Sequence, residues 1–89
     1  GYTKSPVTIA HDILRQIRRE GAHIQGDVIA VYANPEVAEL MRTDEASAVD
    51  ETVKRIQRAI EVHSRKGFHM EQFEVKGKTP GKARGKKDG

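Results

Sequence analysis

The chain carries four histidines, His11, His23, His63 and His69, the residue type most suited to holding a metal or moving a proton at neutral pH. Their spacings match no short ligand motif such as H-x-x-x-H, so ordinary surface or structural roles are the preferred reading over a metal site. His11 and Asp12 are adjacent, and on a helix neighbours point in different directions, so they are no base and orienting partner. Ser5, Ser47 and Ser64 are candidate nucleophiles by type alone, and none stands in a G-x-S-x-G context. The count of zero cysteines excludes disulfides and thiolate metal sites and fits a reducing, cytoplasmic compartment. Residues for hydrolytic or redox catalysis are therefore not assembled by any recognisable pattern, and no catalytic or metal-binding residue and no cofactor is assigned to this chain.

Charge-based chemistry is the remaining possibility. The formal net charge of +3 is unevenly spread. Lys76, Lys78, Lys82, Arg84, Lys86 and Lys87 stand against Asp88 in the last 14 residues, leaving 10 basic and 12 acidic residues before them. A flexible basic segment attracts RNA without sequence preference and with steep salt dependence, and this one lacks aromatic residues for base stacking. Those six cations are the candidate RNA contacts. Arg15, Arg18 and Arg19 form a second basic group that can hold phosphate, although a solvated helix face is preferred. The body of the chain, slightly acidic, offers no broad phosphate-binding surface on charge grounds.

The elements that position these residues follow from local signals. Ser5-Pro6 is a cap followed by a proline at the first helical position, and Ile9, Ile13 and Ile17 make one apolar stripe, which predicts a helix over 6–20 stopped at Gly21. Val28–Ala33 is a short apolar run rich in β-branched residues, predicting a central strand covered on both faces. Asn34-Pro35 repeats the cap-and-proline signal for a helix over 35–42 carrying Val37, Leu40 and Met41. Ser47 with Asp50 three residues on reads as the start of another helix, with Val49, Val53 and Ile56 on its apolar face and the pairs Asp50/Lys54 and Glu51/Arg55 on its outside. Ala59–Ser64 alternates as a half-exposed strand, Lys66-Gly67 breaks it, and His69–Lys76 reads as a last strand with Phe73 and Val75 on one face.

The expectation is one small α+β domain over 6–76 in the order α-β-α-α-β-β, a three-stranded mixed sheet with three helices. The two middle helices make the crossover and the last two strands a hairpin. Residues 1–5 read as a leader from an upstream domain, and 77–89 as a disordered basic tail without large apolar residues. With 36% apolar and 33% charged residues the core is modest. No apolar run approaches the roughly 20 residues that span a bilayer, and no signal-peptide pattern opens the chain. Ile24, Tyr32, Phe68 and Met70 exceed what one helical layer needs. They complete the core or, for Phe68 and Met70 in particular, face a partner subunit.

Three stretches resemble one known family. Gly1-Tyr2-Thr3-Lys4-Ser5-Pro6, leading into the isoleucine-striped helix that ends in Arg18-Arg19-Glu20, resembles the segment after the zinc-link cysteines of ribonuclease E/G proteins. Val31-Tyr32-Ala33-Asn34-Pro35-Glu36-Val37-Ala38 is similar to that family's strand-to-helix turn, and His69-Met70-Glu71-Gln72-Phe73-Glu74-Val75 to its closing strand. The resemblance covers about residues 1–76 and implies the C-terminal small domain of an endoribonuclease, a thioredoxin-like or KH-like fold that helps subunits associate during RNA processing. It also implies that the parent's magnesium-binding catalytic carboxylates, its OB-fold RNA-binding part and its structural zinc lie upstream. Thioredoxin chemistry needs cysteines that are absent. KH-type recognition needs a Gly-x-x-Gly loop between helices, whereas residues 43–47 read Thr-Asp-Glu-Ala-Ser. A stand-alone KH-like RNA-binding module is the alternative.

Overall fold

In a computed structural model of the chain, which describes residues 4–79, α1 (Pro6–Glu20) leads through a 3-10 turn (Gly21–His23) into β1 (Val28–Ala33). Then come α2 (Pro35–Arg42), α3 (Ala46–Ile56), β2 (Ala59–Ser64) and β3 (Phe73–Lys78). The α+β class, the three helices and the three-stranded mixed sheet are as the sequence predicts.

Local chemistry explains the element starts. The Thr8 N–H donates to Ser5 Oγ at 3.2 Å and the Glu36 N–H to Asn34 Oδ1 at 2.8 Å, so both expected caps form ahead of their prolines. Lys4, read as part of a leader, belongs to the helix entry, with its Nζ 2.9 Å from Asp12 Oδ2. The expected cap at Ser47 does not form. The helix begins at Ala46 after Glu45, whose N–H donates back to the Leu40 carbonyl at 2.9 Å and whose carboxylate lies 2.9 Å from His11 Nε2. A turn closed by backbone bonds starts α3 without a side-chain cap. Gly21 is likewise no left-handed stop, having φ −55° and ψ −36°. It continues into the 3-10 turn.

The sheet order is β2-β1-β3, with β1 parallel to β2 and antiparallel to β3. The expected β2–β3 hairpin is thus corrected: β3 joins the opposite edge of β1. The connection after β2 is held over the end of β1 by the Arg65 N–H on the Ala33 carbonyl at 2.8 Å and by Asn34 Nδ2 on the Phe68 carbonyl at 2.8 Å. This carries the chain across β1 before it turns back. One β2 acceptor, the Val62 carbonyl, is taken by the Arg42 guanidinium at 2.8 Å. β3 starts later and ends later than expected, at Phe73 and Lys78, because His69–Gln72 form a turn and Gly77-Lys78 complete the ladder opposite Ile29 and Val28.

The core lies on one side of the sheet. Ile9, Ile13, Leu14 and Ile17 of α1 and Val37 and Met41 of α2 pack with Ile29, Val31 and Ala33 of β1. Ile60 and Val62 of β2 and Phe73 and Val75 of β3 extend that layer. Leu14 lies off the fourfold isoleucine spacing, but Ala10 and Leu14 widen the buried stripe of α1. β1 is central, yet it is not covered by helices on both faces: Val28 and Tyr32, on the side away from the core, are only half-buried.

A buried polar group ties the two flanking helices together. Thr52 is 0% exposed, and its hydroxyl donates to the Ala48 carbonyl at 2.9 Å and accepts from an Arg18 guanidinium nitrogen at 3.3 Å. Thr52→Val keeps the volume but removes both partners. Because Arg18 can turn to water, the expected loss is about 1 kcal/mol. In a domain of this size that is a fall of roughly 4–8 °C in Tm, read by thermal circular dichroism.

Candidate functional site

The described residues enclose no pocket. The pairing register defines an open candidate surface. Residues directly opposite on neighbouring strands point to the same face. Tyr32 stands opposite His63 on β2 and Glu74 on β3, and Ala30 stands opposite Glu61 and Lys76. Val28 pairs with Ala59 and Lys78. The helix-free face of the sheet therefore carries an aromatic centre in a charged frame.

Tyr32 and His63 stack with ring centroids 5.0 Å apart and an interplanar angle of 18°. The Arg65 guanidinium lies 4.3 Å from the Tyr32 ring centroid, and Lys76 Nζ lies 5.9 Å from it, so two cations address one ring. Glu61 Oε1 accepts from Lys78 Nζ at 2.9 Å and pairs with His63 Nε2 at 3.2 Å. The Lys78 hydrogen bond first, and the His63 bond second, hold the Glu61 carboxyl below the usual carboxylate range, and Glu61 in turn raises Lys78. Glu61 thus stays ionised through mild acid, and whatever stability this pairing contributes is present at neutral pH and lost as pH falls below the ordinary carboxylate range. Glu74 is 3.7 Å from Lys76 Nζ.

The sequence-expected cations are split by the fold. Lys76 and Lys78 sit in β3 on this face, Lys78 inside the segment read as tail, whereas Lys82, Arg84, Lys86 and Lys87 lie outside the described residues. Arg15, Arg18 and Arg19 do not converge on one point: Arg15 pairs with Asp12 at 3.3 Å, Arg18 reaches Thr52, and Arg19 lies 3.9 Å from Glu20. His11 and Asp12 go separate ways, to Glu45 and to Lys4. Phe68 and Met70 are half-buried, and Met70, like Ile24, packs against the core. The one large apolar residue that is exposed among the described residues is Val7, at 42%. His63, Arg65 and Tyr32 were not read as a group from the sequence. The alternation of β2 placed His63 on the exposed side, and only the parallel pairing with β1 brings Tyr32 beside it.

These features define a small α+β domain with a packed helical side and a bare, charged and aromatic sheet side. Over 75 residues the chain is 31% identical to ribonuclease G of Salmonella typhimurium (strain SL1344), a stretch that covers 84% of this chain and 15% of the relative. It is 29% identical over 75 residues to ribonuclease G of Escherichia coli (strain K12) and of Shigella flexneri, with the same coverage. The chain therefore matches about 15% of the length of the ribonucleases it resembles. No protein-family model matches it. These similarities support a relationship with the ribonuclease E/G enzymes, and the relatives are ribonucleases.

Proposed function

We propose that this chain is the non-catalytic, C-terminal small domain of a cytoplasmic ribonuclease E/G-type endoribonuclease that acts in RNA processing and decay. Its role is to support subunit assembly, with weak, non-specific RNA contact through the basic segment after the sheet. The observation that carries the reading is the 31% identity to ribonuclease G along 84% of the chain. The described residues contain no group of three or more His, Asp or Glu side chains placed to hold a metal ion. In this proposal the magnesium and structural zinc implied for the parent belong to its other parts, and no reaction step is assigned here. No helix among the described residues is long and apolar enough to cross a membrane. A core of this size leaves little stability to spare, and burying further apolar surface against another subunit adds stability by mass action.

Phe68, half-buried beside the Lys66-Gly67 turn, is the proposed partner contact, together with the half-buried Met70, which also packs against the core. Analytical ultracentrifugation tests this. The purified chain is expected to show a mass that rises with concentration, and Phe68→Ser to reduce that association without lowering Tm. Met70→Ser is expected to lower Tm as well, because it also removes a contact with the core. Single-stranded RNA incubated with the same preparations stays intact with or without magnesium. A chain that is monomeric at every concentration sinks the assembly role, and magnesium-dependent cleavage that survives repurification sinks the non-catalytic one.

A further inference from the structure

We infer that the open face of the sheet is a binding surface for single-stranded RNA, on which a base stacks against Tyr32 while Arg65 takes an adjacent phosphate. RNA as the polyanion rests on the proposed ribonuclease E/G relationship; the stacking itself rests on the geometry. Three observations meet at one ring. First, Tyr32 stands at the centre of the helix-free face, on the middle strand, where extended backbones approach from either side. Second, it is already stacked on His63 at 5.0 Å and 18°, so a rigid π surface is prepared at no further ordering cost. Third, the group covering it is an exposed arginine lying on the ring rather than on a carboxylate. An exposed cation–π contact is cheap to exchange, and a guanidinium displaced by a base can hold the neighbouring phosphate in a bidentate bond.

The charge frame selects the mode of binding. Lys76 and Lys78 are engaged by Glu74 and Glu61, so the face has little free positive charge beyond Arg65. Binding here is consequently base-dependent and only weakly salt-dependent. A basic tail behaves in the opposite way, attracting any polyphosphate and losing it steeply as salt rises. The two contributions can therefore be measured separately in one molecule.

The chain has two tyrosines and no tryptophan, so Tyr2→Phe leaves Tyr32 as the sole strong emitter. Titrating that variant with a ten-residue oligouridylate is expected to quench the emission saturably. An abasic ribose-phosphate oligomer of equal length is expected to leave it unchanged and to bind about 10-fold more weakly, the scale of one base–aromatic stack. In the otherwise wild-type chain, followed by anisotropy of labelled oligomers, Tyr32→Phe keeps the preference for bases and Tyr32→Leu abolishes it. Should Tyr32→Leu fail to fold, the quenching experiment decides alone. Truncation after Thr79 is expected to weaken both oligomers alike, flatten the salt dependence and leave the quenching in place. The inference is overturned if oligouridylate binds without quenching, if it fails to bind, or if bound oligomers with and without bases are held equally. Truncation without effect on either oligomer would instead remove the tail from the proposed function and leave the sheet face standing.

Discussion

Gly77→Ala is expected to cost about 4 kcal/mol and to detach the end of β3, although one methyl group is all that is added. A Cβ at this position would stand 1.6 Å from the Gln25 carbonyl oxygen and 2.8 Å from its carbon. Backbone cannot yield to it as a flexible side chain would. The contact is reciprocal: Gly26 has φ +118°, and a Cβ there would stand 2.5 Å from the Lys78 carbonyl oxygen. Two glycines thus let the chain before β1 and the end of β3 lie against one another, and β3 needs that approach to complete its ladder with Ile29 and Val28. Urea denaturation of Gly77→Ala and of a Gly67→Ala control checks this. The control has nothing within 4 Å of its added carbon and is expected to stay within about 0.5 kcal/mol of wild type. Equal stability of the two variants would show that the β3 terminus is not held as described.

Arg58→Met is expected to lose about 3 kcal/mol, nearly as much, from a residue at which the sequence carries no warning. Arg58 follows the left-handed Gln57 that ends α3, φ +60°, and its half-buried guanidinium reaches back across the fold. It donates to the carbonyls of Gly21, of Ile24 at 2.5 Å and of Gly26 at 3.5 Å. Those carbonyls belong to the turn that ends α1 and to the link to β1, and the Gly21 carbonyl also accepts from the Ile24 N–H at 3.1 Å, so the guanidinium ties the turn and the link together. Charge-assisted hydrogen bonds are worth about 1.5–3 kcal/mol each but do not add when they share one donor group. Methionine keeps the length and apolar stem while removing the fork, so the loss measures the hydrogen bonds. Arg58→Lys is expected to recover less than half, because a single ammonium nitrogen cannot replace two guanidinium nitrogens that serve three carbonyls. Chemical denaturation of the three proteins supplies the comparison, and an unchanged midpoint for Arg58→Met would rule the clamp out.

Three expectations fail on contacts that residue type and spacing do not display. Residues 77 and 78 lack large apolar side chains and sit in a Gly, Lys and Pro context, so they read as tail. Their place in β3 comes from a neighbour, Gln25–Gly26, about 50 positions earlier in the chain. The expected hairpin rested on the usual adjacency of consecutive strands. It failed because Asn34, besides capping α2, holds the Phe68 carbonyl and steers the connection over β1. Ser47 looked like a cap beside Asp50, and the backbone bonds of the turn at 43–46 made that cap unnecessary.

What the sequence determined by itself is what short-range chemistry controls. Ser5-Pro6 and Asn34-Pro35 set two helix starts, the isoleucine spacing set the buried side of α1, and the alternation in β2 separated Ile60 and Val62 from Glu61 and His63. Each signal acts within a turn of helix or a few residues of strand, where the interacting groups are bonded close together and no chain entropy opposes their meeting. The tertiary structure alone decided which edge of β1 takes β3, why Gly26 and Gly77 must be glycine, and that Arg58 clamps the end of α1. It alone decided that Tyr32, His63, Arg65 and Lys76 meet on one face. Those juxtapositions join residues 31 (Tyr32 and His63) to 52 (Gln25 and Gly77) positions apart, and they exist only because burying the opposite face of the same strands against α1 and α2 holds the sheet in register.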